Sequence, residues 1–172
     1  AKGITRSKAS IKPVQRLNEI NSDIEKRLST GIKEFDRVLG GGIVEGSLIL
    51  LSGDPGIGKS TILLQICQSL GQKHTILYIS GEESARQIKL RANRLNVDTE
   101  NLFILAETDV SLIVETIKAE KPNMVIIDSI QTMMIDDISS SAGSITQVRE
   151  CTNIFMHLAK SLGIPIFVVG HV

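Results

Sequence analysis

Aromatic residues are scarce in this chain: four Phe, one Tyr and no Trp, 3% of the whole. A platform of aromatic rings on which unpaired bases could stack is therefore not visible. Charge of one sign is lacking too, since nineteen basic residues balance nineteen acidic ones. No bulk positive field draws the protein to nucleic acid or an anionic membrane, and any DNA affinity has to be local. Only two cysteines occur, Cys67 and Cys151, far apart and both within apolar helical patterns. That spacing argues against a disulfide framework or paired metal ligands and fits a reducing cytoplasm. No apolar run approaches the roughly 20 residues of a membrane span, and the N-terminus lacks the charged-then-apolar layout of a signal peptide. The expectation is a cytoplasmic protein with no membrane partner.

What is present is a chain of 172 residues, 42% hydrophobic, enough for one sizeable core. Residues 1–29 are polar, carry Lys2, Arg6, Lys8, Lys12 and Arg16, and read as an arm or linker, with the folded domain over 30–172. Thr30 is placed to N-cap a short helix over Ile32–Leu39, and Gly40-Gly41-Gly42 supplies residues that tolerate a left-handed helix end. From Ser47 onward β and α patterns alternate. Strands are expected near Ser47–Leu51, Thr75–Ser80, Leu102–Leu105, Met124–Asp128 and Ile166–Val169. Helices are expected over Lys59–Leu70, Ala85–Leu95, Val110–Glu120 and Ile145–Leu162. Strands rich in Ile, Val and Leu are buried on both faces, so the fold class is α/β, a mostly parallel sheet with helices on both sides. The sequence stops at Gly170-His171-Val172, directly after a strand of the buried type, which is the expectation for a truncated domain.

Gly53-Asp54-Pro55-Gly56-Ile57-Gly58-Lys59-Ser60 has the G-x-x-x-x-G-K-[ST] spacing of a P-loop, with an apolar strand before it and a helix after it. In this pattern Gly53, Asp54, Pro55, Gly56, Ile57, Gly58, Lys59, Ser60 and Thr61 form the nucleotide cradle. Glycines let backbone N–H groups converge on phosphate oxygens, Lys59 adds a point charge at the β/γ-phosphates, and the Ser60 hydroxyl ligates Mg²⁺. The helix that follows favours an anion at its N-terminus. ATP or ADP with Mg²⁺ is the ligand this predicts.

In parallel α/β sheets ligands sit beyond the carboxyl ends of the strands, so residues just after each strand are the other candidates. The second strand delivers Glu82 and Glu83; one could serve as a general base for the attacking water, or both could simply favour the start of the next helix. Met124-Val125-Ile126-Ile127-Asp128-Ser129 has the form of a Walker B strand, with Asp128 placed to hold Mg²⁺ through water. His171 lands on the same face after Gly170, either as a nucleotide sensor or as a histidine satisfied by hydrogen bonds at a strand end. His74 and His157 read as surface or interface residues. The small-residue loop Ile138–Ser144 is expected to be mobile; it carries no Lys or Arg to neutralise phosphate, although in a ring it could face a central channel. Arg86, Lys89, Arg91 and Arg94 lie on one helix, either as a solvated face or as a nucleic-acid contact.

Four stretches together, Leu39-Gly40-Gly41-Gly42-Ile43, the P-loop through Thr61, Tyr78-Ile79-Ser80-Gly81-Glu82-Glu83-Ser84 and Ile127-Asp128-Ser129-Ile130-Gln131-Thr132, resemble the bacterial RadA (Sms) family of DNA repair proteins. The likeness extends to Gln147-Val148-Arg149-Glu150-Cys151 and to Val168-Val169-Gly170-His171-Val172. The resemblance implies a RecA-like ATPase core and a homo-hexameric ring. It also implies a DNA-dependent motor on single-stranded and branched DNA that promotes branch migration beside a RecA-type recombinase. It makes Lys59 and Glu82 the catalytic residues, Asp128 the Walker B acid and His171 the sensor, with Glu83 secondary. The family also carries a four-cysteine zinc module, a Lys-Asn-Arg-Phe-Gly motif and a Lon-protease-like domain, none of which is in this sequence. Zinc is accordingly expected only in that absent module, and slow turnover is expected of this chain alone. The competing reading is a nucleotide-switched binding module that regulates partner assembly. A small-molecule phosphotransferase would need an acceptor pocket and a basic lid, and no lid pattern occurs.

Overall fold

Five aliphatic runs pair side by side in a computed structural model that describes residues 11–21, 26–53 and 58–171. The strands are β3 (Leu48–Gly53), β4 (Ile76–Ser80), β5 (Leu102–Ala106), β6 (Met124–Asp128) and β7 (Ile166–His171); an antiparallel pair of two-residue strands, β1 (Arg27–Leu28) and β2 (Ile43–Val44), precedes them. All five pair in parallel, in the order β3-β7-β6-β4-β5. Between them run α1 (Lys33–Val38), α2 (Lys59–Leu70), α3 (Ala85–Arg94), α4 (Val110–Glu120) and α5 (Ile145–Leu162). The doubly covered α/β sheet expected from the sequence is the one observed.

The pleat divides each central strand between two cores. In β6, Val125 and Ile127 pack with α4 and α5 through Ile113, Ile117, Cys151 and Phe155, while Met124 and Ile126 pack with α2 and α3 through Leu63, Leu64, Cys67 and Ile88. All twelve of these aliphatic, sulfur and aromatic side chains are at most 1% exposed. Each contributes on the order of 1.5–3 kcal/mol of burial, which is why the aliphatic runs form central strands without polar alternation. The outer strands are less covered: Leu50 of β3 is 62% exposed and Phe103 of β5 is 55% exposed.

Local signals fix the helix ends. Ser84 and Gln87 form a reciprocal capping box at the start of α3, Ser144 caps α5, and Asp109 caps α4. Gly163 ends α5 with φ +67°, a left-handed value that costs glycine nothing. At the first helix the expectation is corrected. The N-cap is Ile32, and no side chain caps it. Thr30 is fully buried and instead donates its hydroxyl to Asp36 Oδ1 at 2.6 Å, with its backbone N–H on the same oxygen at 2.7 Å. The same hydroxyl accepts the Ile32 N–H at 3.3 Å, so it closes the turn that leads into the helix instead of capping the first helical turn. On the arm side of residue 30, Arg27 and Leu28 pair with Val44 and Ile43, and Leu28 packs against the core.

Candidate nucleotide site

The register of the sheet brings the predicted residues to one edge. Gly53 stands beside His171, Asp128 beside Val169, and Ser80 beside Asp128. The ends of β3, β7, β6 and β4 therefore form a continuous rim. Of the P-loop, Asp54, Pro55, Gly56 and Ile57 lie outside the described residues, as do Val172 at the far end and Lys2, Arg6 and Lys8 of the arm. Its flanks are clear. Gly58 adopts φ +79° directly before α2, and nothing lies within 4 Å of where a Cβ would stand, so glycine is needed there for its backbone and not for space. No side chain caps α2, which leaves its first N–H groups, at Lys59, Ser60 and Thr61, directed at the rim.

Lys59 is 8% exposed, an unusual depth for an ammonium. It is satisfied by the carbonyls of Gly53 at 2.6 Å and Gly170 at 2.9 Å, and its Nζ lies 3.3 Å from His171 Nδ1. Because an ammonium only donates, that contact leaves the ring proton on Nε2. His171 is held in turn by Gln131, whose Nε2 donates to the His171 carbonyl at 3.2 Å and whose Oε1 accepts the His171 N–H at 3.3 Å. The cationic centre of the P-loop and the predicted sensor are thus in direct contact.

Asp128 closes β6. One of its carboxylate oxygens accepts the hydroxyl of Tyr78, and no hydrogen bond among the described residues reaches the other. The next side chain, Ser129, is 1% exposed, and its hydroxyl has no partner among the described residues. A carboxylate with one free oxygen at the end of β6, on the rim where the helix that begins Lys59-Ser60 starts, is a donor set suited to a hard cation beside a polyphosphate. Among the described residues these fit Mg²⁺ with a nucleotide, and no cluster of three or more His, Cys, Asp or Glu side chains suggests any other metal.

Glu82 and Glu83 follow β4 in a loop fixed by backbone bonds: Gly81 N–H donates to the Asp128 carbonyl at 2.9 Å and Glu83 N–H to Ser80 Oγ at 3.0 Å. A Cβ on Gly81 would stand 1.9 Å from Thr132 Oγ1, so the loop packs on the turn after β6 through an obligatory glycine. Glu82 is exposed and lines a groove of about 370 Å³ with Ser80, Glu83 and Glu107. Three strand spacings, on the order of 14 Å, separate its strand from the P-loop strand. Glu83 turns the other way, onto Arg91, with 2.5 Å between Oε1 and Nη1.

Several residues of this rim carried no chemistry in the sequence reading. Tyr78, the sole tyrosine of the chain, enters the sequence reading only within the second strand and the stretch Tyr78–Ser84. Gln131 enters it only within the stretch Ile127–Thr132. Arg91 was grouped with Arg86, Lys89 and Arg94, but it leaves that set: its side chain is 18% exposed and points to Glu83 and Tyr78, while the other three are exposed. The loop expected to be mobile is also corrected at its start. Gln147, fully buried on α5, accepts the Ile135 N–H at 3.1 Å and donates to the carbonyls of Ile135 and Ser140 at 3.2 and 2.9 Å. Buried polar groups of that kind hold a loop in place.

The DNA repair protein RadA of Halalkalibacterium halodurans is 53% identical over 167 residues, covering 96% of this chain and 36% of that protein. The RadA proteins of Bacillus subtilis and Escherichia coli are 52% and 48% identical, each over 95% of this chain and 36% of their own length. The chain thus spans about a third of the length of the curated relatives it matches. A crystal structure of a KaiC-like protein from Pyrococcus horikoshii OT3 superposes with a TM-score of 0.71 over 87% of this chain and 72% of that one, at 21% identity, a likeness of RecA-like fold alone. The sequence family described as an AAA domain matches residues 13–172, and the chain belongs to that family.

Proposed function

We propose that this chain is the ATP-hydrolysing core of a DNA repair protein of the RadA kind. The observation that carries the reading is the convergence on one rim of Lys59, the uncapped start of α2, Asp128 with the orphaned Ser129 hydroxyl, and Glu82. Lys59, released from the Gly53 and Gly170 carbonyls, places its charge on the β/γ-phosphates. The first N–H groups of α2 bind phosphate oxygens and need no rearrangement to do so. Ser60, and Asp128 through water, would hold Mg²⁺, which would supply charge neutralisation across the phosphates. Glu82 orients and deprotonates the attacking water. His171, in contact with the Lys59 ammonium and tied to Gln131, senses where that ammonium sits. The relatives' printed name, DNA repair protein, supports a role in DNA repair. The larger setting we propose from the family resemblance is single-stranded and branched DNA, a RecA-type recombinase and a homo-hexamer, with ATP-driven branch migration as the work done. Among the described residues no helix is long and apolar enough to cross a membrane, and a cytoplasmic setting accords with DNA repair. The folded unit over 30–172, with residues 1–29 as arm, is the working division of the chain.

The test is ATP turnover by the full-length protein with and without single-stranded DNA. Stimulation by DNA is expected, together with a loss of about 10²–10³-fold on Lys59→Ala, the scale of one preorganised electrostatic contact. Turnover indifferent to both would reject the reading. The exposure of Glu82, three strands from the P-loop strand, favours one alternative, a nucleotide-switched module that controls partner assembly. There Glu82→Gln would leave partner binding and repair intact, whereas a motor would lose both turnover and repair.

A further inference from the structure

We propose that Tyr78 is a positioning residue for Asp128, and that Arg91, anchored by Glu83, completes a clamp joining β4, β6 and α3. The inference rests on the reading of Asp128 as the acid that holds Mg²⁺.

Tyr78 is fully buried, and its ring lies in the core beneath α2 and α3. A phenylalanine would fill the same space. The hydroxyl is the costly part, because an unpaired phenol in an apolar core loses its hydration without compensation. Its partner is the carboxylate of Asp128, fifty residues away in sequence and opposite β4 in the sheet. A carboxylate with one oxygen held in this way no longer turns freely about its Cβ–Cγ bond. Its second oxygen is therefore aimed in one direction, which is what a fixed cation site needs.

Arg91 extends the arrangement. Its Nη1 bonds Glu83, its Nη2 lies 3.5 Å from the phenol oxygen, and its Nε is buried with no partner among the described residues. A guanidinium laid out for solvation on a helix surface would not bury its Nε. Here its charge sits beside the phenol, held there by Glu83. It also fixes Glu83 and with it the backbone of Glu82. The two acids of the rim are thus oriented through one tyrosine and one arginine.

The experiment follows a fluorescent ADP, the methylanthraniloyl derivative, binding to the 172-residue chain in EDTA and along a Mg²⁺ titration, beside a thermal melt of each variant without nucleotide. Tyr78→Phe is expected to leave the affinity in EDTA within about twofold and to raise the Mg²⁺ midpoint about tenfold, the lower end of what loss of an outer-shell partner costs. Arg91→Met should move the midpoint the same way by about threefold, and it carries the test if the phenylalanine variant does not fold. A Mg²⁺ midpoint unchanged while the melting temperature falls would make the contact an ordinary core hydrogen bond and overturn the inference. Equal losses with and without Mg²⁺ would overturn it as well. Asp128→Asn separates the two levels. If it shifts the midpoint and Tyr78→Phe does not, only the clamp is wrong; if Asp128→Asn itself shifts nothing, the metal reading falls and takes the clamp with it.

Discussion

Gln147→Leu replaces a buried amide by an aliphatic group of similar volume and removes the side-chain bonds by which Gln147 ties the loop after β6 to α5. Three backbone partners are lost at good geometry: the Ile135 N–H at 3.1 Å, the Ile135 carbonyl at 3.2 Å and the Ser140 carbonyl at 2.9 Å. A fourth contact, to the Ile138 carbonyl at 3.4 Å, is too long to count for much. At about 1 kcal/mol for each intramolecular bond the direct loss is about 3 kcal/mol. The Ile135 N–H, left without an acceptor in a partly buried position, adds about 1 kcal/mol or more, and burying leucine where glutamine stood returns about as much. The net expectation is a loss of about 2–4 kcal/mol, a large share of the stability of a domain this size. Urea unfolding reads it as a lower midpoint at unchanged slope, and amide exchange reads it locally as lost protection at Ile135. A loss below about 1 kcal/mol with Ile135 still protected would mean that the loop is not hung from Gln147 and that the bonds above are incidental.

Gly81→Ala should lower stability by about 1–3 kcal/mol, since its Cβ would meet Thr132 Oγ1 at 1.9 Å, and Thr132→Ala in the same chain should recover part of that loss; a chemical denaturation cycle over the four proteins checks the coupling. Burial tends to raise the Asp36 carboxyl, but hydrogen bonds from Ser29 and Thr30 outweigh it and hold the group below its ordinary 3.8. Its contribution is therefore complete above that pH and lost as pH falls below it, so the stability gap between the protein and Asp36→Asn should be flat near neutrality and close in acid. A gap that widens in acid would have the wrong sign. Burial pushes the thiols of Cys67 and Cys151 up to about 12 and about 11, so neither should react with a disulfide reagent in the folded protein at pH 8, and both should react in urea. Rapid labelling without denaturant would contradict their burial.

Most of the architecture was legible in the sequence because the signals were long or chemically specific. Helices over Lys59–Leu70, Val110–Glu120 and Ile145–Leu162 and the strand Met124–Asp128 run as expected, and the other strands differ by one or two residues at their ends. The P-loop, Asp128 and His171 were found because a strand end in a parallel sheet is a fixed place and their residue types are few. What escaped notice has physical reasons. Two-residue strands such as β1 and β2 are too short to show a period. In β4 every residue is buried, so nothing in its pattern marks Tyr78 as different from the isoleucines beside it. Arg91 shares a helix with three solvated cations, and spacing along α3 does not reveal that one of them turns inward to a carboxylate. Gln131 and Gln147 act on backbone groups far along the chain, a relation that exists only once the sheet order is known. Thr30 stands two residues before the helix N-cap, so its hydroxyl bonds Ile32 and Asp36 and none of the first-turn N–H groups, a matter of where the helix begins that composition does not reveal.

The pairing of β3 with β7 also sets a timetable for biosynthesis. Lys59 reaches the Gly170 carbonyl across 111 residues of sequence, while β4, β5 and β6 lie wholly within that interval. On a ribosome adding about 5–20 residues each second, the lysine emerges many seconds before its last acceptor does. Throughout that interval the P-loop strand has no neighbour in the sheet and the ammonium no carbonyl from the final strand. The half-made chain therefore carries its acidic rim long before the basic one is anchored, and competence to grip a nucleotide arrives only once β7 has been made.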